Sequence, residues 1–257
     1  MALGKKYTLT NQMWIDAFNN IENTISREQI HEKVQDTVGR LQRVIQGKKV
    51  AFAWSGGKDS IALQYICERA GVDMSMWGTS DLEYPEFRKW CEKNKPLNCE
   101  EVNTGLDLAW LAKHTNYLFP ESAKEDVRWF PLIQWKAQLD YYKKHQLDMI
   151  LTGRRLIDNN FCGKEGLSIS KEKTTYNPLY DWSHEEVLAV IKYYYLELPP
   201  TYWWYEGWYE GTHCWAQRNK EGRTEQEMWK IIYDLDKSIV LNAANYLSGA
   251  REFLSKL

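Results

Sequence analysis

Positions 55–60 bring together residue types that suit the binding of an oxyanion. Glycines let backbone N–H groups approach a ligand closely, a lysine supplies positive charge, and serine hydroxyls can donate hydrogen bonds. A phosphate group is the ligand that this combination favours most. The residues of this loop are Ser55, Gly56, Gly57, Lys58, Asp59 and Ser60.

The residues on either side of the loop predict a strand before it and a helix after it. Residues 49–54 form a short, mostly apolar run that is typical of a buried strand. Residues 61–71 carry apolar side chains at helical spacing and end at Gly71, a typical helix stop. The loop would therefore lie at a helix N-terminus, where unpaired N–H groups and the helix dipole attract anions. An ordinary glycine-rich turn is the alternative.

A second candidate group follows another predicted strand. The apolar run Met149–Leu151 leads into Thr-Gly-Arg-Arg. Gly153 would allow close approach of the backbone, and the planar guanidinium of Arg154 or Arg155 can bind a phosphate or sulfate through two parallel hydrogen bonds. Paired arginines can also serve solubility alone, but their position directly after a buried strand favours a functional role.

The loop at 55–60 is not a Walker A loop, in which four residues separate the first glycine from a Gly-Lys pair. It resembles the PP-loop of the ATP pyrophosphatases, the adenine nucleotide alpha-hydrolase-like superfamily, and all six positions match. In that superfamily the loop holds the β,γ-pyrophosphate of ATP while the α-phosphate is attacked. The resemblance implies ATP and Mg²⁺ as ligands and catalytic roles for Lys58 and Asp59, with Asp59 orienting either the metal ion or the loop.

Residues 48–215 also resemble the phosphoadenosine phosphosulfate (PAPS) reductase family of the same superfamily. That family has an aspartate at a strand end, then an aromatic-Pro-Glu triplet, and the resemblance implies that Asp81 binds the nucleotide. Favourable charge at a helix N-terminus is the alternative for Asp81. The family's Gly-x-Arg implies that Gly153 lies in the nucleotide site. It also implies that Arg154 or Arg155 reaches the α-phosphate or the acceptor.

Composition and charge restrict the class of protein. The chain has 257 residues and a net charge of −2, which fits a cytoplasmic protein with no overall attraction to nucleic acid. No apolar run approaches the ~20 residues of a membrane span, and the first seven residues lack the apolar core of a signal peptide. The five cysteines include no Cys-x-x-Cys pair, which argues against a disulfide framework. A local nucleic-acid groove and a homo-oligomer both stay open.

Strands predicted near residues 50, 75, 100 and 150 alternate with helices, which predicts an α/β fold with a mostly parallel sheet flanked by helices. We expect residues 1–47 to form a helical N-terminal extension, residues 48–215 the nucleotide-binding domain, and residues 216–257 a C-terminal helical segment. Residues 163–175 are polar and charged and are predicted to form a flexible loop.

Three functions follow from the resemblance. In the first, the chain cleaves ATP between the α- and β-phosphates and transfers AMP to an unidentified acceptor, in sulfur or nucleotide-modification metabolism. In the second, it reduces a sulfonucleotide with Cys214 as the nucleophile, although the family's C-terminal cysteine motif is missing from this sequence. In the third, it binds a nucleotide without turnover and reports to a partner. The intact lysine and aspartate of the loop favour the first function, because PAPS reductases carry a degraded loop.

Overall fold

A computed structural model describes residue 3 and residues 8–257 of the chain. A six-stranded sheet forms its centre, with strands β1 (Val50–Trp54), β2 (Ser75–Thr79), β3 (Cys99–Asn103), β4 (Met149–Leu151), β5 (Leu167–Ile169) and β6 (Thr174–Tyr176). The spatial order is β3-β2-β1-β4-β6-β5. Neighbouring strands are parallel, except that β5 is antiparallel to β6 at one edge. The predicted α/β fold with a mostly parallel sheet is confirmed.

Helices flank both faces of the sheet. They are α1 (Asn11–Asn19), α2 (Arg27–Ile45), α3 (Lys58–Arg69), α4 (Pro85–Asn94), α5 (Leu108–Lys113), α6 (Ala123–Asp126), α7 (Lys136–Lys144), α8 (His184–Tyr193), α9 (Gly207–Glu210), α10 (Glu225–Leu235), α11 (Lys237–Ala243) and α12 (Ser248–Ser255). A π-helical turn, Pro131–Trp135, leads directly into α7. Residues 1, 2 and 4–7 lie outside the described residues, so part of the predicted N-terminal extension and most of the stretch compared with a signal peptide are not covered.

The alternating side chains of the strands assign the helices to opposite faces. Phe52 and Trp54 of β1 pack into the larger apolar core, together with α2, α3 and α8. Ala51 of β1 points the other way and packs with Ile150 of β4 and Ala137 of α7. Successive residues of a strand face opposite sides of a sheet, so one alternating sequence serves both layers.

Helices make up most of residues 11–45 and of residues 225–255. Helix α2 begins at a capping box in which Ser26 and Gln29 each bond the other's backbone N–H. Its apolar face packs against α3 and α8, which lie on the same face of the sheet. At the other end α10, α11 and α12 pack on one another. Among the described residues no helix is long and apolar enough to cross a membrane.

The prediction of a flexible loop over residues 163–175 is wrong. These residues form the β5–β6 hairpin, and β6 continues the sheet beside β4. Strands β5 (Leu-Ser-Ile) and β6 (Thr-Thr-Tyr) have only three residues each, and charged residues stand before and between them. An alternation of three residues is too short to predict a strand from the sequence.

The order of the strands creates a crevice at their carboxyl ends. From β1 the chain passes to β2 and β3 on one side, and it then returns to β4 on the other side of β1. Where the direction of the connections reverses, the loops after the two central strands separate and leave room for a ligand. The loop at 55–60 follows β1 and the Gly-Arg-Arg stretch follows β4, so both candidate groups border this crevice.

Candidate nucleotide site

The loop at 55–60 is held by its own two serines. The backbone N–H of Ser55 donates to Ser60 Oγ at 3.1 Å, and that hydroxyl donates to the carbonyl of Gly57 at 2.9 Å. Gly56 has a φ of 70°, which L side chains rarely adopt, and a Cβ there would lie 3.1 Å from Cys91 Sγ. Gly57 precedes the first residue of α3. The sequence thus shapes a tight turn that brings backbone N–H groups to the start of a helix.

Lys58 is the first residue of α3 and is almost completely buried. Its Nζ lies 2.7 Å from Asp59 Oδ2 and 5.0 Å from the centre of the Trp14 ring. Its backbone N–H donates to the Tyr202 hydroxyl at 2.8 Å. Burial raises the pKa of that phenol, which keeps it neutral. Lys58 is therefore oriented by residues that lie far apart in the sequence.

Arg155 lies behind the loop with no exposed surface. Its Nη2 is 2.9 Å from Asp59 Oδ1 and 3.0 Å from Asp158 Oδ2, and it is 3.1 Å from His184 Nδ1. Its Nη1 donates to the carbonyl of Ser183 at 2.8 Å. Arg155 therefore contacts Asp59 from the protein interior and does not face the crevice. The resemblance to the Gly-x-Arg motif predicts an arginine that faces the crevice.

These contacts join Lys58, Asp59, Arg155 and Asp158 into one chain of ion pairs. Two cations and two anions balance, so the chain fixes the loop without adding net positive charge. Trp14 packs edge-on against His184, with ring centres 4.8 Å apart, and so closes the network on the side of α1. A buried network of this kind is stable only when each member keeps its partners.

Sequence patterns alone did not single out Asp158, His184, Trp14 and Tyr202 as parts of this site. Asp158 offers the one local signal, because it stands three residues after Arg155. The other three come from α1, from the start of α8 and from a turn near residue 200. No spacing rule connects such segments, and only the folded sheet brings them together.

Gly153 brings the end of β4 against the start of α3. A Cβ at Gly153 would lie 3.0 Å from the backbone oxygen of Asp59, which is tighter than nine in ten real Cβ contacts. The next residue, Arg154, is half-buried, and its guanidinium carbon lies 4.4 Å from the centre of the Phe130 ring. Burial lowers the pKa of the Arg154 guanidinium. Arg154 therefore follows the residue that contacts the loop, but its side chain lies at Phe130, next to the π-helical turn before α7.

Two acidic residues follow β2, and they have different environments. Asp81 is exposed and accepts a hydrogen bond from Asn103 Nδ2 at 2.6 Å. Glu83 keeps some accessible surface, but its Oε2 is buried and has no hydrogen-bond partner among the described residues. Burial raises the pKa of Glu83 to about 8, against the opposing effects of Arg88 and of a hydrogen bond with Thr79. Asp81 thus lies at the rim, and Glu83 is the more perturbed group.

Cys214 does not have the environment of a nucleophile. Its side chain is buried, and burial, followed by the nearby charge of Glu83, raises the pKa of the thiol. A nucleophilic or metal-binding cysteine needs its thiolate, which such surroundings disfavour.

Mg²⁺ is the metal ion that the resemblance implies. It is usually bound by one or two carboxylates together with phosphate oxygens and water. Both oxygens of Asp59 already contact cations, Lys58 and Arg155. Within residue 3 and residues 8–257, no three His, Cys, Asp or Glu side chains come together as metal ligands. The protein groups near the loop therefore do not fit a dedicated Mg²⁺ site.

Comparison with known proteins gives structural likeness without sequence likeness. No protein-family model matches the sequence, and no curated protein matches it. The structure is similar to that of PAPS reductase from Candida auris in a phosphate complex, with 16% identity, a TM-score of 0.48, and coverage of 68% of this chain and 90% of the reductase.

Two further solved structures are similar. One is the U34-tRNA thiolase NcsA from Methanococcus maripaludis with its 4Fe-4S cluster, with 16% identity, a TM-score of 0.48, and coverage of 90% of this chain and 80% of the thiolase. The other is the NH3-dependent NAD synthetase from Campylobacter jejuni in complex with nitrate, with 13% identity and a TM-score of 0.43. The match covers 87% of this chain and 96% of the synthetase.

The three structures share only 13–16% of their residues with this chain. At these identities function has to be inferred from the site itself.

Proposed function

We propose that this protein binds ATP with its pyrophosphate part on the loop at 55–60 and cleaves it between the α- and β-phosphates. The observation that carries the proposal is the position of the Ser-Gly-Gly-Lys-Asp-Ser loop between β1 and α3, beside the crevice where the strand connections reverse. Backbone N–H groups at a helix start and a lysine ammonium suit two adjacent phosphates. The protein is then an enzyme that transfers AMP.

In the proposed reaction a nucleophilic atom of the acceptor attacks the α-phosphorus. A bond forms between that atom and phosphorus, the bond to the bridging oxygen breaks, and pyrophosphate leaves with the electron pair. The acceptor loses one proton to solvent, and the products are the adenylated acceptor and pyrophosphate. Lys58 offsets the negative charge that develops on the leaving pyrophosphate, provided that its ammonium turns from Asp59 toward the phosphates.

The other candidate residues take supporting roles in this proposal. Asp59 orders the loop through Lys58 and Arg155 and is not a Mg²⁺ ligand, so the metal ion would be held by the phosphate oxygens of ATP. Arg155 is a positioning residue, because it acts through Asp59. Gly153 permits the close approach of β4 to α3, and Arg154 faces the acceptor or the α-phosphate. Asp81 is assigned to the nucleotide side of the crevice, at its rim.

Reduction of a sulfonucleotide finds less support. It requires a thiolate that attacks sulfur, and the only cysteine near the end of the chain, Cys214, is buried with a raised thiol pKa. A nucleotide-binding module without turnover would share the loop and differ only in the absence of products.

The test is incubation of the purified protein with Mg²⁺ and ATP labelled at the α-phosphate. Water acts as the acceptor because no other acceptor is added. We expect labelled AMP and pyrophosphate, and loss of both in Lys58→Ala. Lys230→Ala is the matched control, because Lys230 is an exposed lysine on α10 that pairs with Asp234, away from the loop. ATP binding without AMP would favour the module without turnover, and absence of ATP binding would contradict the proposal.

A further inference from the structure

Two cations, Arg154 and Lys173, lie on the opposite face of the sheet from the helix that follows the loop at 55–60. Lys173 directly precedes β6, and its Nζ donates to Oε1 of Gln138 on α7 at 2.7 Å. Arg154 stacks on Phe130, just before the π-helical turn that leads into α7. Both side chains therefore belong to the α7 face, whereas the loop continues into α3 on the opposite face.

The two cations contact aromatic rings at the two ends of one π-helical turn: Arg154 lies over Phe130, which directly precedes the turn, and Lys173 lies over Trp135, its last residue. Burial, and after it the positive charge of Arg154, lowers the pKa of Lys173 to about 8. Burial also lowers the pKa of Arg154. Like charges that lose water raise each other's free energy, so the arrangement costs stability when no anion is present.

Among the described residues, neither cation forms an ion pair with an acid, although the charge of the neighbouring Glu172 acts against the lowering of the Lys173 pKa. In the described part of the chain, no carboxylate lies within ion-pair distance of Arg154 or Lys173. The polar partner of Lys173 is the neutral and buried amide of Gln138. The neighbour of Arg154 on this side is also uncharged, because its guanidinium carbon lies over the Phe130 ring. By contrast, the cations behind the loop, Lys58 and Arg155, are paired with Asp59 and Asp158.

The pair also borders the crevice. Gly153, the residue before Arg154, lies against the backbone oxygen of Asp59, so Arg154 stands next to the first turn of α3. A ligand group bound by Arg154 and Lys173 would thus lie beside the nucleotide and be separate from the pyrophosphate on the loop.

We propose that Arg154 and Lys173 form an acceptor subsite, and that the acceptor of AMP carries an oxyanion, either a carboxylate or a phosphate. This rests on the proposed function, because it names the class of acceptor for the same reaction. Arginine offers a planar fork and lysine a point charge, and together they can hold one oxyanion through charge-assisted hydrogen bonds. Phe130 and Trp135, whose ring centre lies 6.0 Å from Lys173 Nζ, would border the rest of the acceptor.

The test uses inorganic sulfate as the probe and the non-cleavable analogue α,β-methylene-ATP to fill the loop. Calorimetric titration of sulfate into the analogue-saturated protein should show one site. Arg154→Gln and Lys173→Gln should each weaken sulfate binding by about tenfold or more, because each removes charge-assisted hydrogen bonds. If the pair holds the acceptor and not the α-phosphate, the affinity for the analogue should change by less than about twofold in both variants.

Lys171→Gln is the matched control, because Lys171 is an exposed lysine in the same hairpin turn. Its sulfate affinity should equal that of the unchanged protein. Sulfate binding that is absent, or equal in all four proteins, would overturn the subsite. Loss of analogue affinity in Arg154→Gln and Lys173→Gln, without a separate sulfate site, would overturn it too, because the pair would then hold the nucleotide.

The outcome also separates the subsite from the proposed function. If the analogue fails to bind but sulfate still requires both cations, the anion subsite stands and the ATP proposal fails. Acetate and inorganic phosphate, titrated in the same way, distinguish a carboxylate acceptor from a phosphorylated one.

Discussion

Two neighbouring arginines, Arg154 and Arg155, show how one residue step changes a role. Arg155 is buried among Asp59, Asp158 and His184, whereas Arg154 is half-buried on an aromatic ring beside another cation. From the sequence the two were equivalent candidates for binding an anion. Burial and partners now separate them into a residue that positions the loop and a residue that can meet a ligand.

This difference predicts unequal effects on stability. Arg155→Gln should lower the free energy of unfolding by about 3 kcal/mol, because it removes the buried cation that lies between Asp59 and Asp158. That value is at the low end for a buried pair, since Asp59 keeps part of its surface in water. Arg154→Gln should change it by less than about 1 kcal/mol, because a desolvated cation is removed. Urea unfolding of the two variants measures both, and equal losses would contradict the assignment.

Glu83 makes the stability of the protein depend on pH. Its pKa is about 8 in the folded protein, against an ordinary value of 4.5. Between these values the folded state holds a proton that the unfolded state has lost, so the stabilisation present below pH 4.5 is lost as pH rises through 8. We therefore expect the free energy of unfolding to fall from pH 5 to pH 8, and Glu83→Gln to remove that part of the slope.

Urea unfolding at several pH values tests this expectation, with Glu86→Gln as the control. Glu86 is exposed in the first turn of α4, so its replacement should leave the slope unchanged. A slope that survives in Glu83→Gln would show that other groups cause it.

At the scale of secondary structure elements, the site depends on the packing of the end of β4 against the start of α3. Gly153 makes this contact possible, because a Cβ would lie 3.0 Å from the backbone oxygen of Asp59. Gly153→Ala should therefore push α3 and the loop apart and weaken binding of α,β-methylene-ATP by about tenfold. Backbone atoms at this point cannot move aside as a flexible side chain would.

Gly39→Ala provides the matched control for that substitution. Gly39 lies within α2, and a Cβ there would have its nearest contact, Arg43 Nη1, at 3.7 Å, so the change should raise stability by about 0.5–1 kcal/mol without affecting the ligand. Nucleotide affinity measured by calorimetry separates the two. If Gly153→Ala binds the analogue as well as Gly39→Ala does, the contact between β4 and α3 is not required.

At the scale of the whole molecule, the sequence predicts contacts between residues that are close in the chain, but not contacts between residues that are far apart in it. The strand, loop and helix around Lys58 are contiguous, and their pattern was sufficient to predict an anion site. The partners of Arg155 come from α3, from the turn after β4 and from α8, and the ring over Lys58 comes from α1. The β5–β6 hairpin is not predicted from the sequence for a different reason, since each of its strands has only three residues and so carries too short a pattern.

The central claim is that water or an acceptor attacks the α-phosphorus of ATP on the loop at 55–60. The most direct measurement is turnover of α-labelled ATP in water enriched in oxygen-18, with Lys58→Ala and Lys230→Ala beside the unchanged protein. We predict AMP that carries oxygen-18 and pyrophosphate that does not, with both products lost only in Lys58→Ala. Oxygen-18 in pyrophosphate, release of ADP, or full activity in Lys58→Ala would contradict the claim.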